Sequence, residues 1–187
     1  MYKRQAEAKA EGNATNDWDL TRRLLEARGV KVGIEDVTER FEFLYQGSEE
    51  EPGLRRFESL RISREAIERL AGRLPLGVVT GRPRADAQRF LDEQNIADLF
   101  STVVCMEDAA SKPDPAPVRL ALDRLGVSTA WMVGDTPDDL DAARRAGVLP
   151  IGVPASGDDL ESTTTVLEAA GAARVLGDPK EIEEILP

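Results

Sequence analysis

A handful of positions combine a reactive side chain with a spacing that could assemble a site. Thr80 closes the apolar run of "LGVVTGRPR", and Gly81 behind it lets backbone approach an anion with no Cβ in the way. Lys112 stands in "SKPDPAPVRL", a proline-flanked loop ahead of a helix in which Asp114 can cap and Pro115 can open the first turn. Asp135 follows the apolar stretch "WMVG", and Asp139 lies one helical turn further on. Two carboxylates so placed suit a hard cation such as Mg2+, which takes one or two carboxylates together with waters and phosphate oxygens. Asp138 between them reads as an ordinary acid complementing a helix dipole.

Each piece also has a plainer reading. Thr and Gly are common in strand-to-helix turns, and a loop lysine is often just solvated. A lysine near a helix N-terminus opposes the macrodipole, however, unless an anion sits between the two positive ends. Arg82 and Arg84, just after Thr80, either reach a second anionic group of a substrate or are solvated helix-start residues.

Composition narrows the chemistry further. The chain has 187 residues and no histidine, and Cys105 is its one cysteine. Ser-His-Asp and Cys-His machinery, histidine-ligated zinc and an intrachain disulfide are therefore excluded. Catalysis would have to rest on carboxylates, lysine, hydroxyls and a hard cation. The net charge of −11 argues against a nucleic-acid partner, because phosphates would be repelled over most of the surface. Arginine far outnumbers lysine, and the acids are spread along the chain. A halophile's solvating surface and an ordinary acidic cytosolic protein both fit that balance. No apolar run approaches the roughly 18 residues of a membrane span, and "MYKRQAEAKAEGN" lacks the apolar core of a secretory signal. The expectation is a cytoplasmic protein with no membrane partner.

The elements that must position these residues are legible as periodicity. The first 60 or so residues read as helical: Leu20, Leu24 and Leu25 have helix spacing before Gly29, and "IEDVTERFEFLYQG" sets Val37, Phe41 and Leu44 on one face. From about residue 61 short apolar runs ("LGVV", "STVVCM", "TAWMVG", "PIGV", "ARVL") alternate with helical segments of about ten residues. That pattern predicts an α/β fold with a parallel sheet covered on both faces, and ligands at the carboxyl ends of its strands.

In order, "VVTGRP", "SKPDP" and "VGDTPDDLDAARRAG" resemble the second, third and fourth motifs of the haloacid dehalogenase (HAD) superfamily, over roughly residues 61–187. The chain is similar to its phosphoglycolate-phosphatase-like branch. The resemblance implies a Rossmann-like core at 61–187 and a small all-helical cap domain at 1–60. "NDWDLT", "TGRPR", "AWMVGDTPDD" and "GVPASG" also resemble a small clade of such proteins in halophilic archaea and cyanobacteria, for which a link to histidinol-phosphate has been entertained. Carried over residue by residue, the resemblance makes Thr80 and Lys112 catalytic. With Gly81 they bind phosphate, Thr80 holding a phosphoryl oxygen and Lys112 neutralising nucleophile and phosphoryl group. Asp135 binds Mg2+ with support from Asp139.

The family's first motif, Asp-x-Asp, supplies the nucleophile and the general acid and base. "DWDLT" at Asp17–Thr21 has that spelling, but "AEAKAEGNAT" before it cannot form the buried strand the motif requires. Asn16 or Asp17 reads instead as the N-cap of a helix. The expectation is a Mg2+-dependent phosphatase of a small phosphorylated metabolite, monomeric or homodimeric. The same expectation has the chain N-terminally shortened, without the nucleophile strand that is central to the family's sheet. Two alternatives stay open: a non-catalytic phosphate-binding module, and an assembly component completed by a strand from another chain.

Overall fold

The computed structural model describes residues 16–186. The chain forms two compact units, Asn16–Leu60 and another that takes up the chain from Arg61.

The smaller unit is helical. Helix α1 (Asp17–Glu26) begins at Asn16, whose Oδ1 accepts the N–H groups of Trp18 and Asp19 at 3.0 and 3.2 Å. Helix α2 (Ile34–Gln46) packs on α1 through Leu20 and Val37, which are buried. Its inward stripe continues to Phe41 and Tyr45, whose rings stack with centroids 6.2 Å apart, and Tyr45 Oη donates to Glu58 at 3.1 Å. Leu44, expected on the same face as Val37 and Phe41, is 47% exposed. The (i, i+4) aromatic pair turns the stripe away from it.

The larger unit alternates helix and strand. Helix α3 (Arg64–Ala71), capped by Ser63, leads to β1 (Gly77–Val79). Then follow α4 (Arg84–Glu93), β2 (Thr102–Val104), α5 (Ala116–Leu125), β3 (Trp131–Gly134) and α6 (Pro137–Ala146). Strand β4 (Leu149–Gly152), α7 (Leu160–Ala169), β5 (Arg174–Val175) and α8 (Ile182–Ile185) complete the unit. Every apolar run singled out in the sequence is a strand, and all pairs are parallel.

The sheet comes in two pieces, β1–β2 and β3–β4–β5. Helices α5 and α6 hold the pieces together on one face. Val118, Ala142, Ala143 and Val148 form a core there, against which both Val79 of β1 and Met132 of β3 pack. Ala142 and Ala143 are fully buried, and so small a side chain brings α6 close to the strands. On the other face Ile151, Val153 and Leu176 pack with Ile182 and Ile185 of α8. Among the described residues, one edge of β1 and one edge of β3 have no ladder partner. Trp131, Val133 and Leu149 share a face by register and are 37%, 46% and 40% exposed.

Candidate functional site

The site forms at the carboxyl ends of β1 and β3. Thr80 follows β1 directly; its N–H donates to the Val104 carbonyl of β2 at 2.9 Å, which fixes the backbone at the strand's end. Its Oγ1 accepts the Arg82 N–H at 3.2 Å, an arrangement that leaves the hydroxyl proton to be donated elsewhere. Gly81 lies in the turn between them.

Strand β3 ends in Gly134, and Asp135 follows, exposed. Helix α6 then opens with a capping box. Asp139 N–H donates to Thr136 Oγ1 at 3.2 Å, and Asp139 Oδ2 accepts from Thr136 N and Oγ1 and from Asp135 N at 2.8–3.2 Å. Pro137 at the first helical position and Gly147 at φ +81° set the helix's two ends. Gly134 permits the close approach, since a Cβ there would stand 2.3 Å from Asp139 Cβ.

Lys112 bridges these two ends. Its Nζ lies 2.6 Å from Asp139 Oδ1 and donates to the Val79 carbonyl, the residue before Thr80, at 3.2 Å. The two side chains of the pair are 10% and 8% exposed. Burial alone pushes the Asp139 carboxyl upward, but the Lys112 charge and the hydrogen bonds from Lys112 and Thr136 outweigh it. They hold the carboxyl below the usual aspartate range. The anion that answers Lys112 is thus the carboxylate at the start of α6. The N-terminus of its own helix, α5, is served by Asp114, whose Oδ1 accepts the Ala116 N–H at 2.8 Å.

Lys112 thus contacts the residue before Thr80 and the carboxylate that also accepts the Asp135 N–H, so the three candidates are linked through Val79 and Asp139. Asp139 has both oxygens engaged within the chain, which makes it the partner of Lys112 before anything else. Asp135 is exposed at the end of β3 and donates its backbone N–H to Asp139 Oδ2 at 3.2 Å. Among the described residues no cluster of three His, Cys, Asp or Glu side chains stands ready to hold a metal by itself.

The arginines after Thr80 have partners within the chain. Arg84 pairs with Asp108, and Arg82 lies over the Phe90 ring at 5.5 Å. Two acids that the sequence did not single out shape this side. Glu107 accepts the Arg84 N–H through both oxygens at 2.9 and 3.1 Å, capping α4. Asp108 accepts from Cys105 N–H at 2.7 Å and from Arg124 at 3.0 Å, and these bonds lower its carboxyl's pKa. Their signal was the pair of acids following "VVCM", which resembles any loop. Asp17 and Asp19 lie in α1, in the first turn of a helix and not at a strand's end.

A family model described as haloacid dehalogenase-like hydrolase matches residues 21–153. The chain belongs to that family. Among curated relatives of this haloacid dehalogenase-like chain is an imidazoleglycerol-phosphate dehydratase from Phytophthora nicotianae. It is 43% identical over 184 residues, covering 90% of this chain and 41% of that protein. A phosphoglycolate phosphatase from Rhodospirillum rubrum is 41% identical over 106 residues, covering 55% of this chain and 42% of that protein. The chain thus spans less than half the length of either relative. A solved structure of a predicted phosphoglycolate phosphatase from Haemophilus somnus 129pt shares the fold at a TM-score of 0.71 and 20% identity, covering 95% of this chain and 80% of that one. The α/β architecture is that of the family's Rossmann-like members. Among the described residues no helix is long and apolar enough to cross a membrane.

Proposed function

We propose that this chain belongs to a cytoplasmic, Mg2+-dependent phosphatase that hydrolyses a small phosphomonoester. The observation that supports the reading is Lys112, whose ammonium ties the end of β1, just before Thr80, to the first turn of α6. In this reading the Thr80 hydroxyl donates to a phosphoryl oxygen and Lys112 offsets the phosphoryl charge. Asp139 keeps the ammonium oriented, and Asp135 holds the cation. A bound Mg2+ would supply charge neutralisation at the phosphate. The helical unit Asn16–Leu60 serves as the cap.

Spontaneous phosphomonoester hydrolysis is among the slowest reactions known, and enzymes accelerate it by up to ~10²¹-fold. Thr80, Lys112 and a cation do not reach that without a nucleophile. The proposal therefore includes an Asp-x-Asp strand that forms an aspartyl-phosphate. Its place is supported by the edges of β1 and β3 that have no ladder partner among the described residues, with Lys112 contacting the end of β1 and the helix after β3. The two relatives' names, imidazoleglycerol-phosphate dehydratase and phosphoglycolate phosphatase, each contain a small phosphate ester, which supports the substrate class.

The test is turnover of p-nitrophenyl phosphate, phosphoglycolate, imidazoleglycerol phosphate and histidinol phosphate by the chain joined to an apolar strand ending in Asp-x-Asp. Activity should vanish with EDTA and return with Mg2+. Inertness across the panel, with Mg2+-dependent phosphate binding retained, would establish the non-catalytic module instead. The same open edges favour a second reading, in which the strand comes from another chain. Native mass measurement decides it, since an active monomer excludes it.

A further inference from the structure

The loop that carries Lys112 is held by α6 at two points. In the first turn Asp139 takes the ammonium. In the last turn Arg145 Nη1 donates to the carbonyl of Pro113, the residue after Lys112, at 2.8 Å. The two gripping residues are six positions apart, about 9 Å along a helix. The lysine stem is thus tied at its backbone end to one end of α6 and at its charged end to the other. The Arg145 carbonyl in turn accepts from Arg119 Nη2 of α5 at 2.7 Å, and Asp141 Oδ2 stands 3.7 Å from the Arg145 guanidinium. The helix that follows Lys112 is fastened at the same place.

We propose that Arg145 is a positioning residue for Lys112: through the Pro113 carbonyl it sets where the lysine backbone starts, so that the ammonium reaches the crevice between β1 and α6. Arg145 touches none of the groups facing the crevice, and its side chain is 51% exposed. Arg144 is a natural control. It too donates to a carbonyl, that of Ala170 at 3.2 Å, but on the side of α7.

The experiment compares Arg145→Ala, Arg145→Lys and Arg144→Ala in the chain as it stands. Its readout is the rate at which acetic anhydride acylates Lys112 Nζ at fixed pH, with the exposed Lys180 as internal reference. In R145A Lys112 should be acylated about tenfold faster, the lower end of the scale of one lost charge-assisted hydrogen bond. R145K should recover most of the protection, and R144A should leave Lys112 as it was. Melting temperatures separate this from general loosening, which would also follow in R144A. An unchanged Lys112 rate in R145A, or an equal rise in R144A, overturns the proposal. Its consequence for turnover rests on the phosphatase reading, with R145A lowering kcat more than it raises KM. The acylation readout requires no turnover, so the two ideas fail separately.

Discussion

Lys112 Nζ lies 2.6 Å from Asp139 Oδ1 and 3.2 Å from the Val79 carbonyl, so one ammonium joins the end of β1 to the first turn of the helix that follows β3. Both members of the ion pair are nearly out of water. Removing one leaves a buried charge, which typically costs about 3–5 kcal/mol, whereas replacing both with apolar groups costs far less. Lys112→Met should lower unfolding free energy by about 3 kcal/mol. Lys112→Met combined with Asp139→Leu should recover part of that loss. Urea titration of the wild type, both single variants and the double variant measures the coupling. Additive single and double losses would mean that the pair is not a unit.

The Asp139 carboxyl titrates below its unfolded value of about 3.9, because Lys112 and Thr136 favour its charged form more than burial disfavours it. Folding is therefore stabilised at every pH above that unfolded value. The contribution fades as pH falls from there through the lowered folded value. Stability of the wild type minus that of Asp139→Asn should be constant from pH 7 to about 5 and shrink below about 4. A difference that stays flat down to pH 3 would contradict the pairing.

Gly134→Ala tests the close approach. The added methyl would meet Asp139 Cβ at 2.3 Å, a rigid neighbour one bond from the backbone. Overpacking of this kind costs about 1–3 kcal/mol. The displaced Asp139 should also release Lys112, so Lys112 acylation rises together with the loss of stability. A stable Gly134→Ala protein with Lys112 still protected would mean that α6 shifts freely.

The look-alike at Asp17–Thr21 gives an opposite expectation. Asp17→Asn and Asp19→Asn should leave turnover of the strand-completed protein unchanged, since both residues lie in the first turn of α1. Asn16→Ala should cost about 1 kcal/mol of stability through the lost cap. Abolished turnover in Asp17→Asn would reassign the nucleophile.

Much of this was visible in the residues before the coordinates. The alternation of apolar runs with helical segments marks each parallel strand from β1 to β5, because strands of parallel sheets read as near-continuous apolar runs. The strand ends pointed to Thr80 and Asp135 for the same reason. What escaped was the pairing between distant segments. "SKPDP" calls for an anion near Lys112, but nothing local says that it is Asp139, 27 positions on, with Asp114 left to α5. Glu107 and Asp108 were equally silent, since acids after a strand are common and their partners Arg84 and Arg124 come from other helices. Leu44 faces outward because the Phe41–Tyr45 stack outweighs a helical count of apolar residues.

A continuous sheet shares strain across its ladders, and this one has a seam. Between β1 and β3 the described residues offer α5, α6 and the Lys112 ammonium as ties, with no backbone ladder. Separation of the two halves should then cost less free energy than unzipping β3 from β4. Amide exchange in α5 and in the residues around Lys112 would report that opening, and its slowing would register the arrival of anything laid into the seam.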